Sequence, residues 1–299
     1  MPLAMIDATA SNLDSASVGK LLANAIRDIG IPPCPAILNQ INAEMSKEEP
    51  DLKHLDRLIC SDVSLAAGLI AIANSPFFGF RSRVRSVREA LQMLGLSVAS
   101  RAIAGLILRK LFPLTPSLER FWHASAGIAR VSGWLAQNVA TNVKLRPDDA
   151  YTLGLFRDCG IPILMRRFSQ YPAALKQANA EKELGFTAVE QALCATNHAE
   201  VGCLLAQSWW LPDDICLAIR HHHDREILEP GRSRKLPATP PDLIATVQLA
   251  EHVFQNHTGL SQTQEWSKLG TACLRLLDIG ESDLAGIYTA CAAVIASEE

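Results

Sequence analysis

The 299-residue sequence has little net charge and few features of secreted or membrane proteins. Its formal net charge is −3, so the whole chain lacks the basic character of proteins that bind nucleic acid or anionic lipid. No basic-then-apolar leader is visible, and the longest apolar run, residues 63–73, is shorter than the roughly 20 residues of a membrane span. The eight cysteines form no CxxC pair, so disulfides are not expected. We therefore expect a soluble cytoplasmic protein.

Alternating runs of β-branched residues, which predict strands, are also missing. Apolar residues recur at helical spacing instead, and the chain is predicted to be all-α. Ser86 followed by Glu89, and Thr187 followed by Glu190, have the spacing of capping boxes, which predicts a helix beginning near each pair. A Gly-rich phosphate loop, a GxSxG nucleophile elbow and a Cys–His nucleophile pair are all absent from the sequence, which argues against the enzyme classes that use them.

Proline positions indicate how the predicted helices are divided. Pro113 and Pro116 end the apolar stretch 97–112, so an N-terminal helical lobe is predicted over residues 1–115 and a second lobe with C-terminal helices over residues 116–299. Further helices are predicted over 15–29, from Ala36 onward, and over 243–254, 266–277 and 283–296, with a surface loop over 229–242.

Four of the eight histidines lie on predicted helices around the segment Arg157-Asp158. They are His123, His198, His222 and His223, and apolar neighbours at helical spacing predict that His123, His198 and His222 face inward. A hydrolytic metal centre needs converging neutral imidazoles and carboxylates. A single histidine of this kind is more often a core or surface residue, but the set predicts a present or ancestral metal site.

The order of these residues resembles the HD superfamily of metal-dependent phosphohydrolases, and more closely its HDOD branch, the HD-related output domain of bacterial signalling proteins. The resemblance covers roughly residues 18–228 and implies an all-helical fold in which an N-terminal helical lobe packs on an HD-like lobe. It also implies a non-catalytic signalling or regulatory role. Four segments before the histidines carry the part specific to this branch: Ile31-Pro32-Pro33-Cys34-Pro35, ICSDVSL at 59–65, ANSPFFG at 73–79 and ALQMLG at 90–95.

The same resemblance implies that the metal site is degenerate. Arg157 takes the place of the histidine of the HD pair, and Ile161 stands where active relatives usually have Lys. The GYP signature of cyclic dinucleotide phosphodiesterases does not follow His223. The other positions match in order: His123 the first metal histidine, Asp158 the Asp of the pair, His198 the next histidine, His222 and His223 the following pair, and Glu251 the last acidic ligand.

Arg157 decides the chemistry because a guanidinium stays protonated and has no lone pair for a metal. One hypothesis is that Arg157 points inward, pairs with Asp158 or Glu251 and supplies the positive charge of the lost ion. The alternative is that Arg157 turns to solvent at a helix end. We expect no cofactor and no physiological metal, although His123, Asp158, His198 and His222 could still form a weak site.

The predicted function is a non-catalytic regulatory protein of a bacterial signalling pathway that acts through contacts with a partner protein. A metal-dependent phosphohydrolase or phosphodiesterase is the first alternative. The second is a small-molecule sensor that uses the vestigial cleft. Nucleic-acid binding is disfavoured, because the basic run Arg81, Arg83, Arg85 and Arg88 is better explained as a solvated loop before a capped helix.

Overall fold

A computed structural model describes residues 28–112, 115–140, 143, 145–229 and 241–296. Those residues contain helices and no strand, so the all-α prediction is confirmed. Most of the predicted helix 15–29 and of the predicted loop 229–242 lies outside the described residues. The helices are α1 Ala36–Met45, α2 Leu52–Cys60, α3 Val63–Ala73, α4 Val87–Lys110, α5 Pro116–Asn138, α6 Pro147–Phe156, α7 Gly160–Arg167, α8 Tyr171–Ala180, α9 Phe186–Cys194, α10 His198–Ser208, α11 Asp213–His221, α12 Pro241–Thr258, α13 Glu265–Leu277 and α14 Leu284–Ala296, with short 3-10 turns at Arg225–Leu228 and Glu281–Asp283.

The long helix α4 organises the N-terminal helices. It begins at Ser86, whose hydroxyl accepts a hydrogen bond from the Glu89 backbone N–H at 3.1 Å. The Glu89 carboxylate accepts from the backbone N–H of Arg85 at 2.7 Å, one residue before the position that a capping box requires. The predicted helix start is therefore confirmed, with a shifted acidic partner. Helices α1, α2 and α3 all pack against α4.

By length and apolar composition α4 could cross a membrane, which the sequence expectation did not anticipate. The helix is bent at Gly95, where φ is 75°, and half of its apolar window is buried inside the protein. Its Arg101 is buried and forms ion pairs of 2.8 Å with Asp148 and 2.6 Å with Asp149 at the start of α6. Because of this burial and these ion pairs, we interpret α4 as a core helix that joins the N-terminal helices to those after residue 115.

The segment after α3 forms an aromatic turn. The Asn74 side chain donates to the Val84 carbonyl and accepts from the Val84 N–H, both at 2.8 Å, which closes the loop between them. Phe77 is half-buried, stacks on Tyr151 at 5.1 Å between ring centroids, and lies so close to Gly133 that a Cβ there would be 2.2 Å from the Phe77 ring. The turn therefore docks on α5 and α6.

The C-terminal helices surround the site. Helix α5 packs along α6 and α12, and α10 packs on α11 and on α7. Trp209, at the end of α10, is buried and donates its indole N–H to the Pro32 carbonyl at 3.2 Å, so it anchors α10 to the N-terminal helices. Trp210 is instead 66% exposed. One apolar core runs through both sets of helices, and the division at residue 115 stays a prediction.

Candidate functional site

Three histidine rings and one carboxylate meet where α10, the end of α11 and the α6–α7 connection come together. The Nε2 atom of His198 lies 3.3 Å from Nε2 of His222 and 3.2 Å from Nε2 of His223. Oδ1 of Asp158 is 3.4 Å from Nε2 of both His198 and His222. One ligand atom from each of these four residues lies within 4.8 Å of the corresponding atoms of the other three. We call this set the histidine cluster.

The outer nitrogen of each ring is held by an acceptor. Nδ1 of His198 lies 2.7 Å from the Glu190 carboxylate, Nδ1 of His222 2.6 Å from the Ile219 carbonyl, and Nδ1 of His223 2.5 Å from the Glu265 carboxylate. Carboxylates and carbonyls only accept hydrogen bonds, so each Nδ1 carries a proton. Each Nε2 is thereby directed toward the others, which is the arrangement that partners of metal-binding histidines impose.

These donors fit a single divalent ion. Ligand atoms about 2.1 Å from one ion, at angles between octahedral and tetrahedral, lie about 3.0–3.4 Å apart. Nε2 of His198 lies 3.2–3.4 Å from Nε2 of its two histidine neighbours and from Oδ1 of Asp158, and these separations fall in that range. Of the four residues that the sequence offered for a weak site, Asp158, His198 and His222 are brought together. His223 takes the place that was predicted for His123.

A close crossing of α7 and α10 makes this convergence possible. A Cβ at Gly160 would lie 2.1 Å from the His198 carbonyl oxygen and 2.9 Å from the Gly202 nitrogen. Only glycine allows the two backbones to approach so closely. The approach brings Asp158, two residues before Gly160, beside the His198 ring. Any larger residue at position 160 would move Asp158 away from the His198 ring.

Arg157 is buried at the edge of the histidine cluster. Its side chain is 4% exposed, and its guanidinium lies 2.6 Å from a Glu251 oxygen and 2.9 Å from Oδ2 of Asp158. Burial alone would lower the pKa of Arg157, but the two carboxylates outweigh burial and raise it. The hypothesis that Arg157 points inward and pairs with Asp158 or Glu251 is confirmed, since it contacts both carboxylates, and the solvent-facing alternative is wrong. Glu251 touches Arg157 and lies outside the set of four converging donors.

The pKa values show which group of the metal-free cluster holds a proton. Burial would lower the pKa of His198, but Glu190 and Asp158 raise it to about 10. Burial and the neighbouring His222 lower the pKa of His223 to about 4, against the opposing effect of Glu265. Burial would raise the pKa of Asp158, but Arg157 and hydrogen bonds from the histidines hold it well below its usual range. A proton on His198 thus stabilises the metal-free cluster, and an entering ion has to displace it.

His123 does not join the cluster, and the prediction that it faces inward is wrong. His123 is exposed, and its ring centroid lies 6.2 Å from that of Phe254. On α5, Trp122 and Ser125 are buried, so His123 is one residue, about 100° of helix rotation, away from the inward face. Ile161 is buried and lines the cleft beside Arg157, at the position where the resemblance placed a lysine in active relatives.

Two carboxylates that hold the histidines were not identified from the sequence. Glu190 was assigned to a capping box with Thr187, which is wrong: α9 begins at Phe186 with Gly185 before it and no side-chain cap. Glu190 is fully buried, accepts from His198, and bonds the hydroxyl of Tyr171. Glu265, in the first turn of α13, has the position of an ordinary helix-start residue. No sequence motif links Glu190 to His198 or Glu265 to His223, so neither contact could be predicted from one sequence.

A cleft of about 690 Å³ opens beside the cluster. Arg157, Asp158, His223 and Glu251 lie on one side of it, and residues of α5, α7, α8, the start of α9 and the loop after α12 form the rest. The size is in the range of small-molecule sites. We call it the α5–α8 cleft.

This chain belongs to the HDOD family: residues 31–225 match the HDOD domain, which is more than half of the sequence. Among solved structures, an HDOD domain protein of unknown function from Geobacter sulfurreducens is similar over 94% of this chain and 99% of its own, with 23% identity and a TM-score of 0.53. A protein of Shewanella amazonensis, provisionally named a phosphohydrolase, has 19% identity and a TM-score of 0.64, with 91% of this chain and 94% of its own covered.

Two further relatives extend the comparison. A protein of Marinobacter aquaeolei, provisionally named a signal transduction protein, has 19% identity and a TM-score of 0.57, with 95% of this chain and 67% of its own covered. An uncharacterized protein of Treponema pallidum (strain Nichols) is 26% identical over 236 residues, which are 77% of this chain and 42% of the relative. The chain therefore spans less than half the length of that relative. At these identities the solved structures establish the fold alone.

Proposed function

We propose that this HDOD protein is a non-catalytic regulator in a bacterial signalling pathway, and that it acts in the cytoplasm through contacts with a partner protein. The observation that supports the proposal is the buried Arg157, bonded to Asp158 and Glu251. This cation occupies the position of a metal-binding histidine in the related hydrolases, and it already neutralises the two carboxylates beside it. A metal ion between Asp158 and Glu251 would meet a permanent positive charge, which leaves the histidine cluster as the place for at most one ion.

The chain's own residues are also poorly suited to acid–base catalysis. A general base works best with a pKa near the working pH. Arg157 holds the pKa of Asp158 well below that range, and Glu190 and Glu265 are committed to His198 and His223. One divalent ion held by Asp158, His198, His222 and His223 would supply Lewis acidity and would tie α10 to the α6–α7 connection. Because no side chain here is suited to act as the general base beside such an ion, we assign the cluster a structural role.

The names of two relatives point to the two competing functions. The Marinobacter protein carries the name of a signal transduction protein, which agrees with the proposal, whereas one Shewanella protein carries the name of a phosphohydrolase. A phosphohydrolase acting on a nucleotide or another phosphoester is accordingly the function that the experiment has to exclude.

The test combines metal content with hydrolysis. Protein purified without added metal is analysed for Fe, Mn, Ni and Zn, then supplied with each ion and assayed on nucleotides and cyclic dinucleotides. We expect no turnover above that of the His198→Ala variant. Turnover that His198→Ala abolishes would contradict the proposal. The Arg157→His variant, with Arg146→His at an exposed position as its control, shows whether restoring the ligand restores hydrolysis. A pull-down from the native host identifies the partner.

A further inference from the structure

We propose that the α5–α8 cleft binds a small organic anion with an apolar body and a single charged head, such as an aromatic or long-chain carboxylate. The cleft would give the protein a small-molecule input in addition to its partner contacts. The inference goes beyond the proposed function and does not depend on whether the histidine cluster holds an ion. It follows from the size of the cleft, its apolar walls and the charges at its rim.

The walls suit an apolar body. The cleft measures about 690 Å³, enough for a ligand of drug size. Apolar side chains from three helices and one loop line it. Most of the surface of a bound hydrocarbon or aromatic body would therefore be removed from water, which favours binding. The main apolar residues are Phe121, Ile128, Ile161, Met165, Leu175 and Leu260.

The rim suits a single negative charge. Arg120 on α5 and Lys176 on α8 both line the cleft, and both are exposed. Neither forms an ion pair with any residue that the structure describes, so their charges are available to a ligand. Arg157, deeper in the cleft, is already bonded to two carboxylates and cannot take a third at full strength. The anionic head is therefore favoured at the rim, and the body extends along the apolar walls.

The position of the cleft connects a ligand to the histidine cluster. Phe186 lines the cleft and stacks on His223, with 4.7 Å between ring centroids and an angle of 11° between the planes. Phe186 also packs with Ala178 and Val189 in a small apolar cluster, and Leu175 contacts both this cluster and the main core. Helices α8 and α9 thus form one wall with packing of its own. A ligand that contacts Leu175 and Phe186 changes the packing of that wall.

A neighbouring cavity provides a matched control. About 480 Å³ of polar space lies on the other side of His223, lined by Lys182, Arg225, Lys268 and Arg275. Its walls are mostly charged, and Arg225 and Arg275 both face Glu229 at 3.6 Å. Lys182→Glu reverses one charge there, as Lys176→Glu does at the α5–α8 cleft. The pair separates a local effect on the cleft from a general change in net charge.

The experiment is a fluorescence titration with two probes that share one apolar body. Anilinonaphthalene sulfonate carries a negative charge, and N-phenylnaphthylamine is its uncharged parent. We expect saturable binding of both, with the sulfonate bound more tightly. The Lys176→Glu variant should weaken sulfonate binding about fivefold and leave the neutral probe within about twofold, whereas Lys182→Glu should leave both probes within about twofold. The Met165→Trp variant, which fills the cleft, should weaken both probes.

Three results would overturn the inference: no saturable binding of either probe, equal weakening of both probes by the charge reversal, or the same weakening by Lys182→Glu. Circular dichroism and urea unfolding of each variant show that it is folded, and the reversed side chains are exposed. A failure of this test leaves the partner pull-down unaffected, so it is distinguishable from a failure of the proposed function. Dodecanoate and dodecanol, as competitors of the sulfonate, repeat the comparison with a flexible body.

Discussion

The two halves of the site satisfy their buried polar groups in different ways. Asp158 and Glu251 share the guanidinium of Arg157, whereas His198, His222 and His223 each give Nδ1 to an acceptor and turn Nε2 toward the others. Buried carboxylates need a cation, since leaving them unpaired is costly. The histidines are held differently: against the effect of burial, Glu190 and Asp158 raise the pKa of His198 to about 10, so that it keeps a proton, and Glu265 accepts from His223. An arginine is therefore enough to keep the carboxylate half folded without a metal, and the imidazole half can remain intact beside it.

The largest expected effect is on the carboxylate half. Arg157→Met leaves the buried carboxylate of Glu251 and the half-buried one of Asp158 without their guanidinium, and we expect the free energy of unfolding to fall by about 3–5 kcal/mol. Urea denaturation followed by circular dichroism measures the loss. Arg146→Met, at a side chain that is 68% exposed, is the control and should cost less than about 1 kcal/mol. A loss for Arg157→Met as small as that of the control would show that the two halves do not differ in this way.

The next prediction concerns the support of the imidazole half. Glu190 is fully buried and bonds both Tyr171 and His198. Glu190→Gln keeps the shape but removes the charge, and we expect the free energy of unfolding to fall by about 1.5–3 kcal/mol, the range for hydrogen bonds to charged groups. Thermal and urea unfolding both report it. Glu183→Gln, at an exposed position before the same helix, should change stability by less than about 0.5 kcal/mol.

The third prediction tests whether the imidazole half still binds an ion. After treatment with a chelator, titration with Zn²⁺ in a calorimeter should give one ion per chain. Glu265→Gln removes the acceptor that orients His223 and should weaken the binding about 10–100-fold. Glu229→Gln, which changes a carboxylate of the neighbouring polar cavity, should leave it unchanged. If wild type and Glu265→Gln bind equally, the ion is not held by His223.

The sequence was sufficient for the parts of the site that depend on residue type and local helix position. Histidines on inward-facing helical positions predicted His198 and His222, the resemblance to the HD superfamily added Asp158 and His223, and the inward pairing of Arg157 was one of two hypotheses that its charge allowed. Glu190 and Glu265 were missed because a carboxylate near a helix start looks like a cap in one sequence. Only the packing of α9 on α10 and of α13 beside His223 shows what they contact.

The prediction for His123 failed for a physical reason that also provides the smallest test. Helix α5 is buried on most of its circumference, so apolar neighbours at helical spacing do not define a single inward stripe. His123→Ala should therefore change the free energy of unfolding by less than about 0.5 kcal/mol and Zn²⁺ affinity by less than about twofold. His198→Ala, from the centre of the cluster, is the positive control and should abolish the binding. A tenfold loss of Zn²⁺ affinity in His123→Ala would mean that α5 rotates to bring His123 to the ion, and the cluster would then have five ligands from four segments of the chain.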